Sequence, residues 1–120
     1  MNPIRSYKDL RAWQLAFDLG IEIYNVSSAF PSDERFGLTS QIRRAAISVA
    51  SNIAEGYGRN LKQDYLRFLR MARGSLYEVE TQPLFAKELG MVNDDRTRSA
   101  GCLFDECARV LSELIRSVDP

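Results

Sequence analysis

Few residues in this chain could do chemistry, because its 120 residues include no histidine. The chain therefore lacks the commonest general base at neutral pH and the usual partner of a catalytic serine or cysteine. Cys102 and Cys107 are the only cysteines, too few for a structural zinc site. A di-iron site in a helical bundle needs Glu-x-x-His pairs, which are absent. We therefore expect no enzyme activity, no cofactor and no bound metal.

Two short motifs only superficially resemble reactive sites. The glycines of Gly56-Tyr57-Gly58 follow a helical pattern, whereas a phosphate-binding loop would open one. A helix C-terminal stop explains them better. Gly74-Ser75 offers a hydroxyl, but the sequence positions no base beside it. We expect this pair to mark a close contact between helices.

These residues are carried by four segments with helical periodicity. The predicted helices run from about Asp9 to Ser27, from Leu38 to Tyr57, from Lys62 to Leu89, and onward from the capping cluster at 93–95. Pro83 should kink the third helix. Short connections and no convincing strand predict an all-α fold, an antiparallel up-down-up-down four-helix bundle forming one domain over residues 1–120.

Apolar stripes predict which helix faces form the core. In the first helix the stripe comprises Leu10, Trp13, Phe17, Ile21 and Tyr24. In the second helix it comprises Leu38, Ile42, Ala45, Val49, Ile53 and Tyr57. Gly20 in the first helix costs about 1 kcal/mol relative to alanine, so we expect another helix to approach closely there.

A polar line runs beside the second stripe. If the turn between helices two and three is centred near Asn60, facing residues have numbers that sum to about 120. This register places Arg44 opposite Glu78, and we expect an ion pair between them. The predicted structural polar cluster comprises Arg44, Ser48, Asn52, Glu55 and Glu78. Alternatively, the charged members could bind a small ligand as an enzyme site, which would need a concave pocket.

Charge is unevenly distributed although the net charge is zero. Residues 35–73 contain eight basic and two acidic residues, a local charge of +6. We favour pairing between helices and subunits as the explanation, and a nucleic-acid surface is the alternative. The candidate nucleic-acid contacts are Arg59, Lys62, Arg67, Arg70 and Arg73.

Composition and segment lengths bear on localisation. Hydrophobic residues make up 45% of the chain, typical of a globular protein, and no apolar run approaches the roughly 18 residues of a membrane span. The N-terminal residues contain no apolar signal segment. We expect a cytoplasmic protein without membrane association, with Cys102 and Cys107 as buried free thiols.

The second helix carries an additional line of residues beside its main stripe, which gives it more apolar surface than one antiparallel core needs. This line comprises Arg43, Ile47, Ala50 and Ala54. Excess apolar surface of this kind normally marks a subunit interface.

Three stretches together resemble a known family. They are YKDLRAWQLAFDL, the block FGLTSQIRRAAISVASNIAEGYG at 36–58, and YLRFLRMARGSLYEVETQ followed by LGMV. The chain resembles the bacterial four-helix bundle proteins, also called 23S rRNA intervening-sequence proteins, from Tyr7 to about Val92. Pro83 departs from the family pattern, in which an aliphatic residue is usual.

The resemblance implies a bundle that assembles as a ring-shaped homopentamer. Family members occur as open reading frames inserted in ribosomal RNA genes. Related accessory proteins of diversity-generating retroelements bind nucleic acid through a strongly basic barrel and partner a reverse transcriptase. The present chain differs from those in being neutral.

The sequence thus predicts a non-enzymatic cytoplasmic bundle that forms a cyclic homo-oligomer, a pentamer by resemblance, with a scaffold or accessory role. The alternative is a nucleic-acid-binding accessory protein that uses a basic surface on helices two and three.

Overall fold

The computed structural model describes residues 3–120, and four α-helices account for most of them. The helices are α1 Arg11–Ser27, α2 Leu38–Tyr57, α3 Lys62–Glu88 and α4 Asp94–Val118. Short 3₁₀ turns, Tyr7–Asp9 and Ser32–Glu34, precede α1 and α2. Residues 3–120 contain no strand. The predicted all-α class is confirmed, and α2 has the predicted bounds.

α1 begins later than predicted because the residues before it close a turn of their own. Asp9 Oδ2 accepts hydrogen bonds from the backbone nitrogens of Arg5, at 2.8 Å, and Ser6, at 3.1 Å. Ser6 Oγ in turn accepts one from the backbone nitrogen of Lys8 at 3.1 Å. This reciprocal arrangement is a capping box, and it stabilises the 3₁₀ turn. The α-helix then starts at Arg11.

The start of α2 is stabilised by a side chain from the connection before it. Glu34 Oε1 accepts a hydrogen bond from the backbone nitrogen of Leu38 at 3.1 Å. A Cβ on Gly37 would lie 2.8 Å from the same oxygen. Glycine at this position therefore lets the carboxylate reach the helix N-terminus, where the helix dipole favours negative charge.

α3 continues through Pro83 as one helix. Pro83 has no backbone N–H, so one intrahelical hydrogen bond is lost, but the expected kink does not divide the helix. α3 ends where Gly90 adopts a left-handed conformation with φ 75°. The predicted cap of α4 is present, because Asn93 Oδ1 accepts a hydrogen bond from the backbone nitrogen of Arg96 at 2.9 Å.

Two contacts show that α1 and α4 are antiparallel. Arg96 at the start of α4 donates to the carbonyl oxygen of Asn25 near the end of α1, at 2.7 Å. Arg11 at the start of α1 pairs with Glu106 further along α4, at 2.9 Å. Each helix also packs on its sequence neighbour, and α1 packs on α4, so the four close into a bundle. The predicted up-down-up-down arrangement fits these contacts.

The core lies along the common axis of the four helices. The stripe predicted for α2 faces it, and Ile42, Val49 and Ile53 are fully buried. In α3 and α4 the buried positions include Leu69, Leu76 and, in α4, Leu111. Within residues 3–120, none of these helices is both long enough and apolar enough to cross a membrane.

The core face predicted for α1 was wrong for Phe17, Ile21 and Tyr24, whereas Leu10 and Trp13 of the same stripe pack against the core. Phe17, Ile21 and Tyr24 belong to the predicted stripe, yet they are 48%, 53% and 40% exposed. The face of α1 that enters the core instead carries Ala12, Leu15, Ala16, Leu19, Ile23 and Val26. α1 has apolar residues on two faces, so periodicity alone could not decide which of them points inward.

Candidate functional site

Part of the predicted polar cluster forms a hydrogen-bonded group between α2 and α3. Ser48 Oγ lies 2.9 Å from Ser75 Oγ across the helix interface. Asn52 Nδ2 donates to both the carbonyl oxygen and the Oγ of Ser48, at 2.9 Å each. We call these three residues the serine–asparagine cluster. The predicted register of about 120 places position 48 opposite position 72. It could therefore have located Ser75, which our predicted cluster omitted.

The expected ion pair between Arg44 and Glu78 is not formed within residues 3–120. Both side chains are exposed and line one shallow groove between α2 and α3. Water solvates two exposed charges well, so their attraction does not hold long side chains in one geometry. Gln82 also lines this groove, and its buried Oε1 has no hydrogen-bond partner among the described residues.

Glu55, the remaining member of the predicted cluster, lies apart from this groove. Its carboxylate pairs with Arg59 one turn later on the chain, at 2.9 Å. The structure therefore brings Ser48 and Asn52 together, and Arg44 and Glu78 into one groove, but it does not unite all five residues. Within residues 3–120, the groove that Arg44 and Glu78 line does not include Glu55.

The predicted nucleic-acid contacts, which we call the basic surface, lie on α3 and the turn before it. They are Arg59, Lys62, Arg67, Arg70 and Arg73. The first four are exposed, and each has a carboxylate partner within residues 3–120. Asp119, beyond the end of α4, pairs with both Lys62 at 3.9 Å and Arg70 at 3.2 Å. Nearby acids therefore offset much of the local positive charge.

Aromatic contacts also hold part of the basic surface. The guanidinium carbons of Arg59 and Arg67 lie 4.8 Å and 4.5 Å from the centroid of the Phe68 ring. This is the range of a cation–π interaction, which holds guanidinium groups in place while their edges stay exposed.

A third region, an apolar groove, runs between α1 and α2 and encloses about 330 Å³. Its walls include Trp13, Phe17, Ile21 and Tyr24 from α1, and Ile47, Ala50, Ser51 and Ala54 from α2. Gly20 also lines it, but a Cβ there would make an ordinary 3.9 Å contact with the carbonyl oxygen of Ala46. The packing therefore does not require glycine at position 20, contrary to our expectation.

Arg43 lies beside the apolar groove and contacts Tyr24, one of the residues that line it. Its guanidinium carbon lies 4.5 Å from the centroid of the Tyr24 ring, and its Nε donates to Ser27 Oγ at 2.8 Å. Residues of the additional line on α2, Ile47, Ala50 and Ala54, thus face α1 and the groove. The stripe that was predicted to be the core face of α1 supplies the opposite wall.

The two cysteines differ in environment, and no disulfide joins them. Cys107 is buried, and this burial, together with the nearby Glu106 carboxylate, raises the pKa of the thiol to about 12. Cys102 is exposed, so the expectation of two buried thiols was wrong for it. Residues 3–120 contain no group of three or more cysteine, aspartate or glutamate side chains arranged to hold a metal ion.

Comparison with known proteins identifies the family. No curated protein matches the chain. The model of the family described as 23S rRNA-intervening sequence protein matches residues 8–113. This match includes α1, α2 and α3 and most of α4, and it agrees with the resemblance carried by the sequence motifs. The chain therefore belongs to the family of 23S rRNA-intervening sequence proteins.

Proposed function

We propose that the chain is a non-enzymatic protein that associates with copies of itself into a cyclic oligomer and serves as a scaffold or accessory protein. The observation that carries the proposal is the apolar groove, whose walls include half-exposed Phe17, Ile21 and Ile47. Contiguous apolar surface of this kind marks sites where proteins associate. The family resemblance supports a pentamer.

The energetics favour an interface larger than the groove. Covering the exposed halves of the large groove side chains contributes on the order of 1 kcal/mol each. Association costs about 4–15 kcal/mol in lost translational and rotational freedom. The groove alone therefore supports at most weak association, and a stable oligomer needs a partner surface that is itself apolar and extends beyond it.

Separation of the candidate catalytic groups supports a non-enzymatic role. Glu55 pairs with Arg59, while Arg44 and Glu78 face water across a shallow groove.

The test is the molar mass in solution, measured by light scattering on a size-exclusion column over a range of concentrations. A single chain has a mass of 13.6 kDa. We expect a particle about five times as heavy, which follows from the cyclic symmetry that the family resemblance implies. A mass of one chain at every concentration would overturn the proposal.

A second candidate function, nucleic-acid binding, is favoured by one observation. Arg59 and Arg67 are held against the Phe68 ring in a region that also carries Lys62 and Arg70. Guanidinium groups beside an aromatic ring suit phosphates and exposed bases. The carboxylates of Glu55, Asp64 and Asp119 compete for the same cations.

An electrophoretic mobility assay on RNA and DNA at low salt tests this candidate. If the basic surface contacts phosphates, the double variant Arg67→Ala/Arg70→Ala should weaken binding and reduce the salt slope by about 2. Arg98→Ala/Arg109→Ala is the matched control, because both arginines are exposed and pair with carboxylates inside α4. Unshifted mobility of the original chain at low salt rejects the candidate.

A further inference from the structure

A pocket of about 220 Å³ lies between α1, α3 and α4 and shares no residue with the apolar groove. We call it the Pro83 pocket, because Pro83 lines it. The buried residues of its wall are all apolar: Leu19, Ile23, Val26, Val79 and Ala100. An apolar cavity of about 150 Å³ can hold a benzene molecule, so the Pro83 pocket has room for one ring and a short arm.

Small residues of α4 leave this space unfilled. Thr97, Ala100 and Gly101 line the pocket along about one turn of α4. A Cβ on Gly101 would meet no atom within 4 Å. The space is therefore available to a ligand without rearrangement of the core.

Pro83 leaves one backbone acceptor in the wall of the pocket without its helical donor. In α3 the carbonyl oxygen of Val79 would accept a hydrogen bond from the backbone nitrogen of residue 83, but proline has no N–H. No side chain among residues 3–120 donates to this oxygen. Val79 is buried and lines the pocket. A ligand with an N–H group could supply the missing hydrogen bond.

The charged residues that line the pocket are Glu80, Lys87 and Asp105. Lys87 is already paired with Asp94. Neither Glu80 nor Asp105 forms an ion pair within residues 3–120. Together with Asp94, these groups are three carboxylates and one ammonium, a net charge of −2. The pocket therefore favours a ligand with positive charge and disfavours an anion.

We propose that the Pro83 pocket binds a small organic cation, a primary ammonium group attached to an apolar ring. The ring packs against the apolar wall, and the ammonium donates to the Val79 carbonyl oxygen and to the carboxylates of Glu80 and Asp105. An ammonium group has three N–H donors, which matches these three acceptors. An apolar pocket with a few polar groups is the usual form of a small-molecule site. The proposal does not depend on the self-association proposed above.

The probe is benzylamine, which is protonated at neutral pH, and its neutral counterpart is benzyl alcohol. Both carry the same ring on a short arm. Titration of the isotope-labelled protein, followed by the amide NMR signals, measures the affinity and locates the site. We expect benzylamine to shift the signals of residues that line the pocket, and benzoate, which carries the opposite charge, to leave them unchanged.

Gly101→Leu tests whether the ring enters the pocket. The leucine side chain should occupy the open space, so this variant should lose the binding of both benzylamine and benzyl alcohol. Gly74→Leu is the matched control, because a Cβ on Gly74 would also meet no atom within 4 Å and Gly74 does not line the pocket. It should bind both probes as the original protein does. Far-UV circular dichroism verifies that each variant is folded.

Glu80→Gln/Asp105→Asn tests the recognition of charge. Benzylamine should bind this double variant about tenfold more weakly, which corresponds to the loss of one charge-assisted hydrogen bond, while the affinity for benzyl alcohol stays the same. Asp18→Asn/Glu88→Gln is the matched control. It removes the same charge from two acids that are exposed, form no ion pair within residues 3–120 and lie outside the pocket.

Pro83→Ala tests the backbone acceptor, because alanine supplies an N–H that can bond to the Val79 carbonyl oxygen. This variant should bind benzylamine several-fold more weakly and unfold at a higher temperature than the original protein. The proposal would be overturned if benzylamine at millimolar concentration shifted no signals of the pocket. Unchanged benzylamine affinity in folded Gly101→Leu, in Glu80→Gln/Asp105→Asn or in Pro83→Ala would also overturn it.

Discussion

The two sides of α2 have opposite character. Towards α3, α2 presents Ser48, Asn52 and Gly56, and α3 meets them with Ser75 and closely packed side chains. Towards α1, α2 presents Ile47, Ala50 and Ala54, and α1 leaves an open groove there. The same helix therefore completes one interface within the chain and leaves the other incomplete.

The difference comes from the size and direction of the neighbouring side chains. Small residues on α2 let α3 approach until hydroxyl groups and glycine touch their partners. On the other side, Phe17 and Tyr24 are exposed and lie outside the core. Small residues on a helix thus permit close packing, but the opposing helix determines whether it occurs.

Gly56→Ala should have the largest effect, because it tests the close approach directly. A Cβ at this position would lie 2.9 Å from Phe68 Cβ and 3.1 Å from Tyr65 Cδ1. Both helices would have to shift, so we expect the free energy of unfolding to fall by about 3 kcal/mol. Urea denaturation of the variant and the original protein measures this change.

The matched control for that prediction is Gly101→Ala in the middle of α4. A Cβ on Gly101 would meet nothing within 4 Å. Alanine is the better helix former, so this variant should gain about 0.5–1 kcal/mol. If Gly56→Ala were as stable as Gly101→Ala, α3 would not pack against α2 more closely than α1 does.

Ser48→Ala should have the next largest effect. Ser48 Oγ contacts both Asn52 and Ser75, so its removal takes away the partner of the Ser75 hydroxyl and leaves Asn52 Nδ2 only its bond to the carbonyl oxygen of residue 48. We expect a loss of about 1–2 kcal/mol. Ser75→Ala should cost less, because Ser48 and Asn52 still bond each other. The double variant should lose less than the sum of the two single losses, as thermal unfolding of all four proteins can show.

The serine–asparagine cluster also shows how far sequence alone could predict the site. The helix bounds, the all-α class and the core face of α2 followed from apolar periodicity and capping residues. The antiparallel register places Ser75 beside Ser48 to within one turn. The same register failed for Arg44 and Glu78, because facing positions do not guarantee an ion pair when both side chains reach water.

The apolar groove could not be predicted from the sequence, for a different reason. Periodicity in α1 identified Phe17, Ile21 and Tyr24 as one stripe, and Leu15, Leu19 and Ile23 form another. The choice between the two stripes depends on which side chains fill the space among α2, α3 and α4, and this is a property of tertiary packing. The sequence therefore showed the excess apolar line on α2. The α1 residues that form the opposite wall of the groove, however, were predicted to face the core.

The smallest predicted effect concerns alkaline pH and again probes the closed side of α2. Tyr65 contacts Gly56, and its burial, together with the nearby Tyr57, raises the pKa of its phenol above the ordinary 10.0. The folded state thus holds the proton more tightly than the unfolded state. The contribution of the Tyr65 phenol to the free energy of unfolding is complete below pH 10, and it is lost as the pH rises through the folded-state pKa.

Tyr65→Phe keeps the ring that lies 6.4 Å from Tyr57 and removes the titrating group. The original protein should therefore lose stability above pH 10 more steeply than this variant, as urea midpoints measured at increasing pH would show. The loss of stability above pH 10 in Tyr57→Phe should lie between the losses of these two proteins. This substitution removes only the second cause of the raised Tyr65 pKa and leaves Tyr65 buried. Equal alkaline losses in the original protein and in Tyr65→Phe would mean that water reaches the phenol freely. The interface between α2 and α3 would then be as open at this end as the groove on the other side of α2.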